Sequence, residues 1–173
     1  MSTLITNTLQ GINTIKYDAS TTALNINSSG IVTMPNHPAF SASRDAGDVS
    51  VGDFIVFDDA RTNVGNHYNT STGKFTAPVA GTYAFFFYAM SAGAPTNVNI
   101  SVEFWKNNSY VGDASPLGRG SGSGYSLGIQ ISGQIILTLA VNDYIQVKNS
   151  GGSGGGLYMT GNAHNEFSGH LIG

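Results

Sequence analysis

The sequence predicts an all-β chain with an N-terminal extension, and three observations carry that prediction. Apolar residues recur at spacing two, and Gly, Asn, Ser and Thr interrupt every window long enough to show the 3.6-residue period of a helix. Residues 72–83, TGKFTAPVAGTY, join two runs of strand-forming residues through a Pro and a Gly. From Ala39 onward, about nine short strand candidates follow one another between turn residues, the pattern of a sandwich or barrel.

In chain order, residues 1–36 come first, a segment with Leu4, Leu9, Ile12, Ile15, Tyr17, Leu24, Ile26, Ile31 and Val32 in short alternating pieces. NTIKYD and ALNINSSGIVTMP read as strands, with SSG at 28–30 as a hairpin connection. So few apolar groups cannot close a private core, which predicts packing on another chain as an attachment or trimer-joining arm. Pro35 and Pro38 mark the boundary with residues 37–173, because each denies a ladder donor and biases the preceding residue to extended geometry.

Beyond that boundary, strands are predicted at 39–43, 53–57, 74–76, 81–90, 98–105, 126–139, 143–148, 157–160 and 166–172, with Gly-rich loops at 118–124 and 151–156. Gly81, Tyr83, Phe85 and Phe87 share one face of their strand. The unbroken aromatic run at 85–88 predicts a strand covered on both sides, by a second sheet and by a neighbouring subunit. One thick internal core is the alternative. Residues 69–73 can turn if Gly73 takes a positive φ, Asn142 tolerates the left-handed conformation in a tight connection with Asp143, and Gly169 leaves room for a neighbouring backbone.

Composition narrows the function classes. Charged residues make up 10% of the chain, against roughly 25% in typical soluble domains, so uncharged polar groups must supply solubility. The net charge of −3, with Lys and Arg scattered singly, leaves no basic patch for nucleic acid. No run of 18 apolar residues predicts a membrane span, and the start MSTLITNTLQ has neither the basic nor the apolar region of a secretory signal. The absence of Cys excludes disulfides and thiolate chemistry and fits synthesis in a reducing cytoplasm.

Five stretches, in order, resemble the C1q-like branch of the complement C1q and tumour-necrosis-factor superfamily. They are PAFSAS at 38–43, VFDDARTNVGNHYNTSTGKFTAPVAGTYAFFFYA at 56–89, ISVEFWKNNSYVG at 100–112, SLGIQISGQIILTLAVNDYIQV at 126–147 and EFSGHLI at 166–172. The resemblance implies a ten-strand jelly-roll sandwich that assembles as a homotrimer, with aromatic residues of the central strands at the subunit contacts. Tyr83, Phe85, Phe87, Phe167 and Leu171 are the trimer-interface candidates on that basis. No Gly-X-Y repeat precedes the domain, unlike the animal members. The arm at 7–35 is similar instead to segments that precede such domains in structural proteins of bacteriophages.

Chemical sites are sparse. His37, His67, His164 and His170 have no metal-ligand spacing, although a single His on a threefold axis would become three ligands. Asp45, Asp48, Asp53, Asp58 and Asp59 form an acidic concentration without EF-hand order. Asp58 and Asp59 are the calcium candidates, and a solvated loop is the alternative. No G-x-S-x-G elbow, P-loop or Cys nucleophile is present, and Glu166 paired with an Asp would need a separation that sequence does not supply, so no catalytic residue is assigned. Trp105, Tyr125 and Tyr158, together with Tyr110, could stack on sugar rings if displayed on apical loops; burial at a strand end is the alternative for Trp105.

These readings converge on a non-enzymatic phage virion protein, a homotrimer displayed on the particle surface and synthesised in the host cytoplasm, its arm joined to other virion proteins as a capsid decoration. A tail-fibre or spike tip that binds a host surface glycan is the second reading, and a soluble lectin-like module the third.

Overall fold

The computed structural model describes residues 11, 13–45, 47, 49–91, 98–120, 130–151, 157–158 and 164–173. The chain divides into two compact units, Met1–His37 and Pro38–Gly173.

In the first unit, β1 (Thr14–Lys16), β2 (Thr22–Ile26) and β3 (Val32–Thr33) form an antiparallel meander. Asp18 builds the first turn, its Oδ1 accepting the N–H of Ser20 at 2.8 Å and of Thr21 at 2.6 Å. The N–H of Thr21, then that of Ser20, holds the Asp18 carboxyl down at about 2. Asn27 does the same for the second turn, accepting from Ser29 N and Ile31 N at 2.9 Å each, with Gly30 at φ 77°. Register pairs Ile15 with Leu24 and Ile26 with Val32, so these four share one face while Thr14, Asn25 and Thr33 share the other. That apolar face stays open, with Ile15 and Val32 exposed.

The second unit contains β4 (Ala39–Ser43), β5 (Asp59–Asn63), β6 (Tyr68–Asn69), β7 (Lys74–Thr76), β8 (Gly81–Ser91), β9 (Val98–Lys106), β10 (Ser109–Gly120), β11 (Gln130–Leu139), β12 (Tyr144–Asn149), β13 (Leu157–Tyr158) and β14 (Asn165–Leu171). One sheet has the order β10-β9-β12-β7-β6 and the other β11-β8-β14-β4-β5, with the short β13 paired on β8. Five antiparallel strands thus face five, the predicted ten-strand jelly roll, with β13 as an addition.

Alternation along the strands fills the space between the sheets. Phe40, Tyr83, Phe85, Phe87 and Phe167 come from one sheet and Tyr68, Phe75, Val102, Phe104, Ile145 and Val147 from the other, all buried. Phe40 lies at the centre, stacked on Tyr68 at 4.7 Å and on Phe75 at 4.9 Å between ring centroids. The buried Tyr68 hydroxyl is satisfied twice, donating to Phe57 O at 3.0 Å and accepting from Phe57 N at 3.2 Å, and burial pushes it well above the usual tyrosine range.

Three special backbone positions are as predicted. Gly73 has φ 69°, and a Cβ there would meet Ile55 O at 2.5 Å. Asn142 is left-handed at φ 69°. At Gly169 a Cβ would lie 2.6 Å from Phe85 Cδ1 and 2.9 Å from Ala84 O. Asn107 and Asn108, at φ 49° and 62°, form the two-residue connection between β9 and β10.

Other elements differ from the prediction. Residues 53–57 are not a strand: Phe54 forms an isolated bridge to Lys148, while Ile55 and Phe57 plug the core. The polar β5 and the short β6 were not predicted, because edge pairing to β4 and β7 rather than apolar alternation places them. Gly118 and Gly120, assigned to a loop, continue β10 opposite Ile100 and Val98. The predicted strand at 126–139 begins within the described residues at Gln130, and 126–129 lie outside them.

Candidate functional site

Two outward faces of the sandwich carry groups that the core does not use. The first is the outer side of β11-β8-β14. Because successive side chains point to opposite faces, Phe86 projects away from the core that takes Phe85 and Phe87. Phe86 is 39% exposed, and Ile136 on the adjacent β11 is 65% exposed. The His170 ring stacks on Phe86 at 5.9 Å with an interplanar angle of 14°. Tyr88, Glu166, Ser168, Gln134 and Ser132 extend this face around an open hollow of about 490 Å³. Arg61 of β5 reaches Glu166 at 3.8 Å. The face is apolar at one end and hydrogen-bonding at the other.

This parity corrects the interface candidates. Tyr83, Phe85 and Phe167 are 0% exposed and Phe87 is 2% exposed, all within the chain's own core. A side chain already enclosed by the opposite sheet offers nothing to a second subunit. Leu171 lies opposite Tyr83 and packs against the same core while remaining half-buried. Phe86, Tyr88 and His170, each one position away from a candidate, keep solvent-facing surface on the outer side of these strands. The period-2 pattern held this information; the aromatic run hid which half of it faced outward.

The second face is the outer side of β9 and β10. Trp105 lies here, half-buried and directly opposite Tyr110, neither on an apical loop nor enclosed. Its Nε1 donates to Glu103 Oε2 at 2.8 Å. The Lys148 ammonium stands 4.3 Å from the Trp105 ring centroid and 5.6 Å from that of Phe54, and Phe54 meets Trp105 edge-on at 5.7 Å. Tyr110 is 52% exposed and donates its hydroxyl to Asp113 Oδ1 at 3.1 Å, a bond that raises its pKa above the ordinary tyrosine value. Glu103, Asp113, Lys148 and Phe54 escaped the sequence reading. The alternation of Val102, Glu103, Phe104 and Trp105 already placed Glu103 beside Trp105.

The remaining candidates stay dispersed. Asp58 accepts the N–H of Asp45 through Oδ1 at 3.4 Å, and Asp59 is an exposed residue of β5 opposite Ser43. Among the described residues no group of three His, Asp or Glu side chains is arranged to hold a metal ion. Tyr125 lies outside the described residues, and Tyr158 sits on β13 opposite Met90. Among the described residues no helix is long and apolar enough to cross a membrane.

The sequence matches the family model of the C1q domain over residues 39–172. The chain belongs to the C1q family. Its fold is similar to the globular domain of the zebrafish complement 1qA protein, with 26% identity, a TM-score of 0.62, and coverage of 79% of this chain and 98% of that one. The TNF-type protein Eiger from S. frugiperda shares the fold at 14% identity and TM-score 0.56, covering 80% of this chain and 94% of that one. Murine APRIL at pH 5.0 does so at 9% identity and TM-score 0.58, covering 79% and 99%. The match begins where the second unit of this C1q-family chain begins, leaving the first unit as an addition.

Proposed function

We propose that this chain is a non-enzymatic structural protein of a bacteriophage particle, a homotrimeric C1q-like module displayed on the surface as a capsid decoration and joined to other virion proteins through its N-terminal unit. The observation that carries the reading is the pair of apolar faces left open, one in each unit. A sandwich that worked alone would place polar residues on the outer side of its central strands, yet here Phe86 and Ile136 stand exposed. In the first unit Ile15, Ile31, Val32 and Met34 are exposed, and among the described residues none of that unit belongs to the buried core. Membership of the C1q family supports self-association of the second unit, since the family resemblance implies a trimer. The likeness of residues 7–35 to arms in phage structural proteins supports the particle, and a Cys-free chain suits synthesis in the host cytoplasm.

A tail-fibre or spike tip is the second reading, favoured by the ring and carboxylate cluster around Trp105. One experiment separates the two. The full chain and a variant lacking residues 1–36 are incubated with empty phage capsids and with host cells, and their masses are measured by light scattering. The proposal expects the mass of three chains for both proteins and capsid retention for the full chain only. A monomeric mass at micromolar concentration, or full decoration by the truncated chain, would overturn it. Retention on cells but not capsids selects the second reading.

A further inference from the structure

We infer that the outer face of β9 and β10 is a binding site for uncharged glycans, in which a pyranose ring stacks on the exposed Tyr110, beside a Trp105 ring already covered by Lys148. Three properties of the cluster carry the inference. First, the rings are fixed, with Tyr110 exposed and Trp105 half-buried. Trp105 is anchored at Nε1 by Glu103 and Tyr110 at its hydroxyl by Asp113, so the flat Tyr110 ring is presented, with Trp105 opposite it in register, and has little freedom left to lose on binding. Second, hydrogen-bonding capacity remains at the ring edges. The described bonds use Oε2 of Glu103 and Oδ1 of Asp113, which leaves the second oxygen of each carboxylate to accept from a ligand hydroxyl. Lys148, held over the Trp105 ring by a cation–π contact, adds donors on the same outer face.

Third, the charge selects among ligands. Two carboxylates and one ammonium border the rings, so an anionic ligand meets repulsion that the single lysine does not offset. A cationic group would have to displace Lys148 from the position it already fills over Trp105 and Phe54. A pyranose is neutral, with an apolar C–H face for the Tyr110 ring and a rim of hydroxyls for the carboxylates and the ammonium. Pairing places Tyr110 opposite Trp105 and Asp113 opposite Glu103, across an irregularity of β10 between Tyr110 and Gly112. The site is on a different sheet from Phe86.

The test uses a convenience of composition, since the chain contains one Trp and intrinsic tryptophan fluorescence therefore reports this site alone. The full chain is applied to an array of immobilised neutral, sialylated and uronic-acid oligosaccharides. The free form of the strongest neutral binder is then titrated while Trp105 emission is followed. A saturable emission change is expected, with affinity reduced about tenfold or more in Tyr110→Ala and in Asp113→Ala. Oligomeric mass and thermal midpoint should stay at the parental values, because both side chains are exposed. The inference fails if no neutral oligosaccharide binds, if only the anionic ones do, or if Tyr110→Ala binds as tightly as the parent. Each of these leaves the capsid and mass measurements untouched, so failure here is distinguishable from failure of the proposed function.

Discussion

Phe86 and Phe87 are adjacent in sequence and opposite in role, and exchanging them in turn tests the assembly argument quantitatively. Phe86 is 39% exposed in a single chain. A Phe side chain presents roughly 200 Å², so about 80 Å² remains to be covered by a second subunit. At about 25 cal/mol per Å² this contributes about 2 kcal/mol per chain, or about 6 kcal/mol for a trimer. Phe86→Ser should therefore lower the trimer association constant by about 10⁴. Because that constant scales with the square of concentration, the concentration at half-assembly should rise about a hundredfold. Sedimentation velocity or light scattering over a dilution series reads this directly, with circular dichroism to show that each chain stays folded. Phe87 behaves differently. It is 2% exposed and lies 6.2 Å from Phe57 in a T-shaped contact inside the sandwich. Phe87→Ala should cost about 3–5 kcal/mol of fold stability and lower the melting midpoint by about 10 °C. An unchanged half-assembly concentration in Phe86→Ser would refute the assignment of this face. So would a Phe87→Ala chain that keeps its stability but loses assembly.

Two further predictions concern the frame that presents these faces. Gly169→Ala forces a Cβ to within 2.6 Å of Phe85 Cδ1, and the Phe85 ring is itself hemmed in by Phe40, Phe75 and Phe167. The cost should be about 1–3 kcal/mol in urea denaturation, whereas Gly173→Ala, with nothing within 4 Å, should match the parent. Equal stability of the two variants would disprove the close approach of β14 to β8. Asp143 tests the β11–β12 turn through pH. Lys106 Nζ at 2.7 Å, the Asn107 side chain at 2.6 Å and Ala140 N at 2.8 Å hold its carboxyl down at about 2, from an ordinary 3.8. The folded value lies below the unfolded one, so the contribution is complete above about pH 4 and disappears as pH falls towards 2. The melting-temperature gap between the parent and Asp143→Asn should close over that interval. A gap that is the same at neutral pH and at pH 2 would refute the account.

Much of this was legible in the residues. The period-2 pattern, the Gly73 turn, the left-handed Asn142 and the space at Gly169 each follow from local sterics, which act within a few residues of sequence. The edges were less legible. Nothing in DARTN or in Gly118 and Gly120 favours a strand; β5 and the end of β10 exist because β4 and β9 offer unpaired ladder groups to them.

The sequence by itself determined the all-β class, because alternation and turn chemistry are local, and it carried the family resemblance in its ordered motifs. Only the tertiary structure decided which half of the aromatic run at 85–88 is core and which is surface. Alternation divides a strand into two faces but does not label them, and only the second sheet, closing over Phe85 and Phe87, leaves Phe86 outside. The same holds for Trp105. Glu103 shares its strand, but Tyr110, Lys148 and Phe54 come from separate stretches of chain, and pairing of β9 with β10 and β12, with the bridge to Phe54, is what brings them to one face.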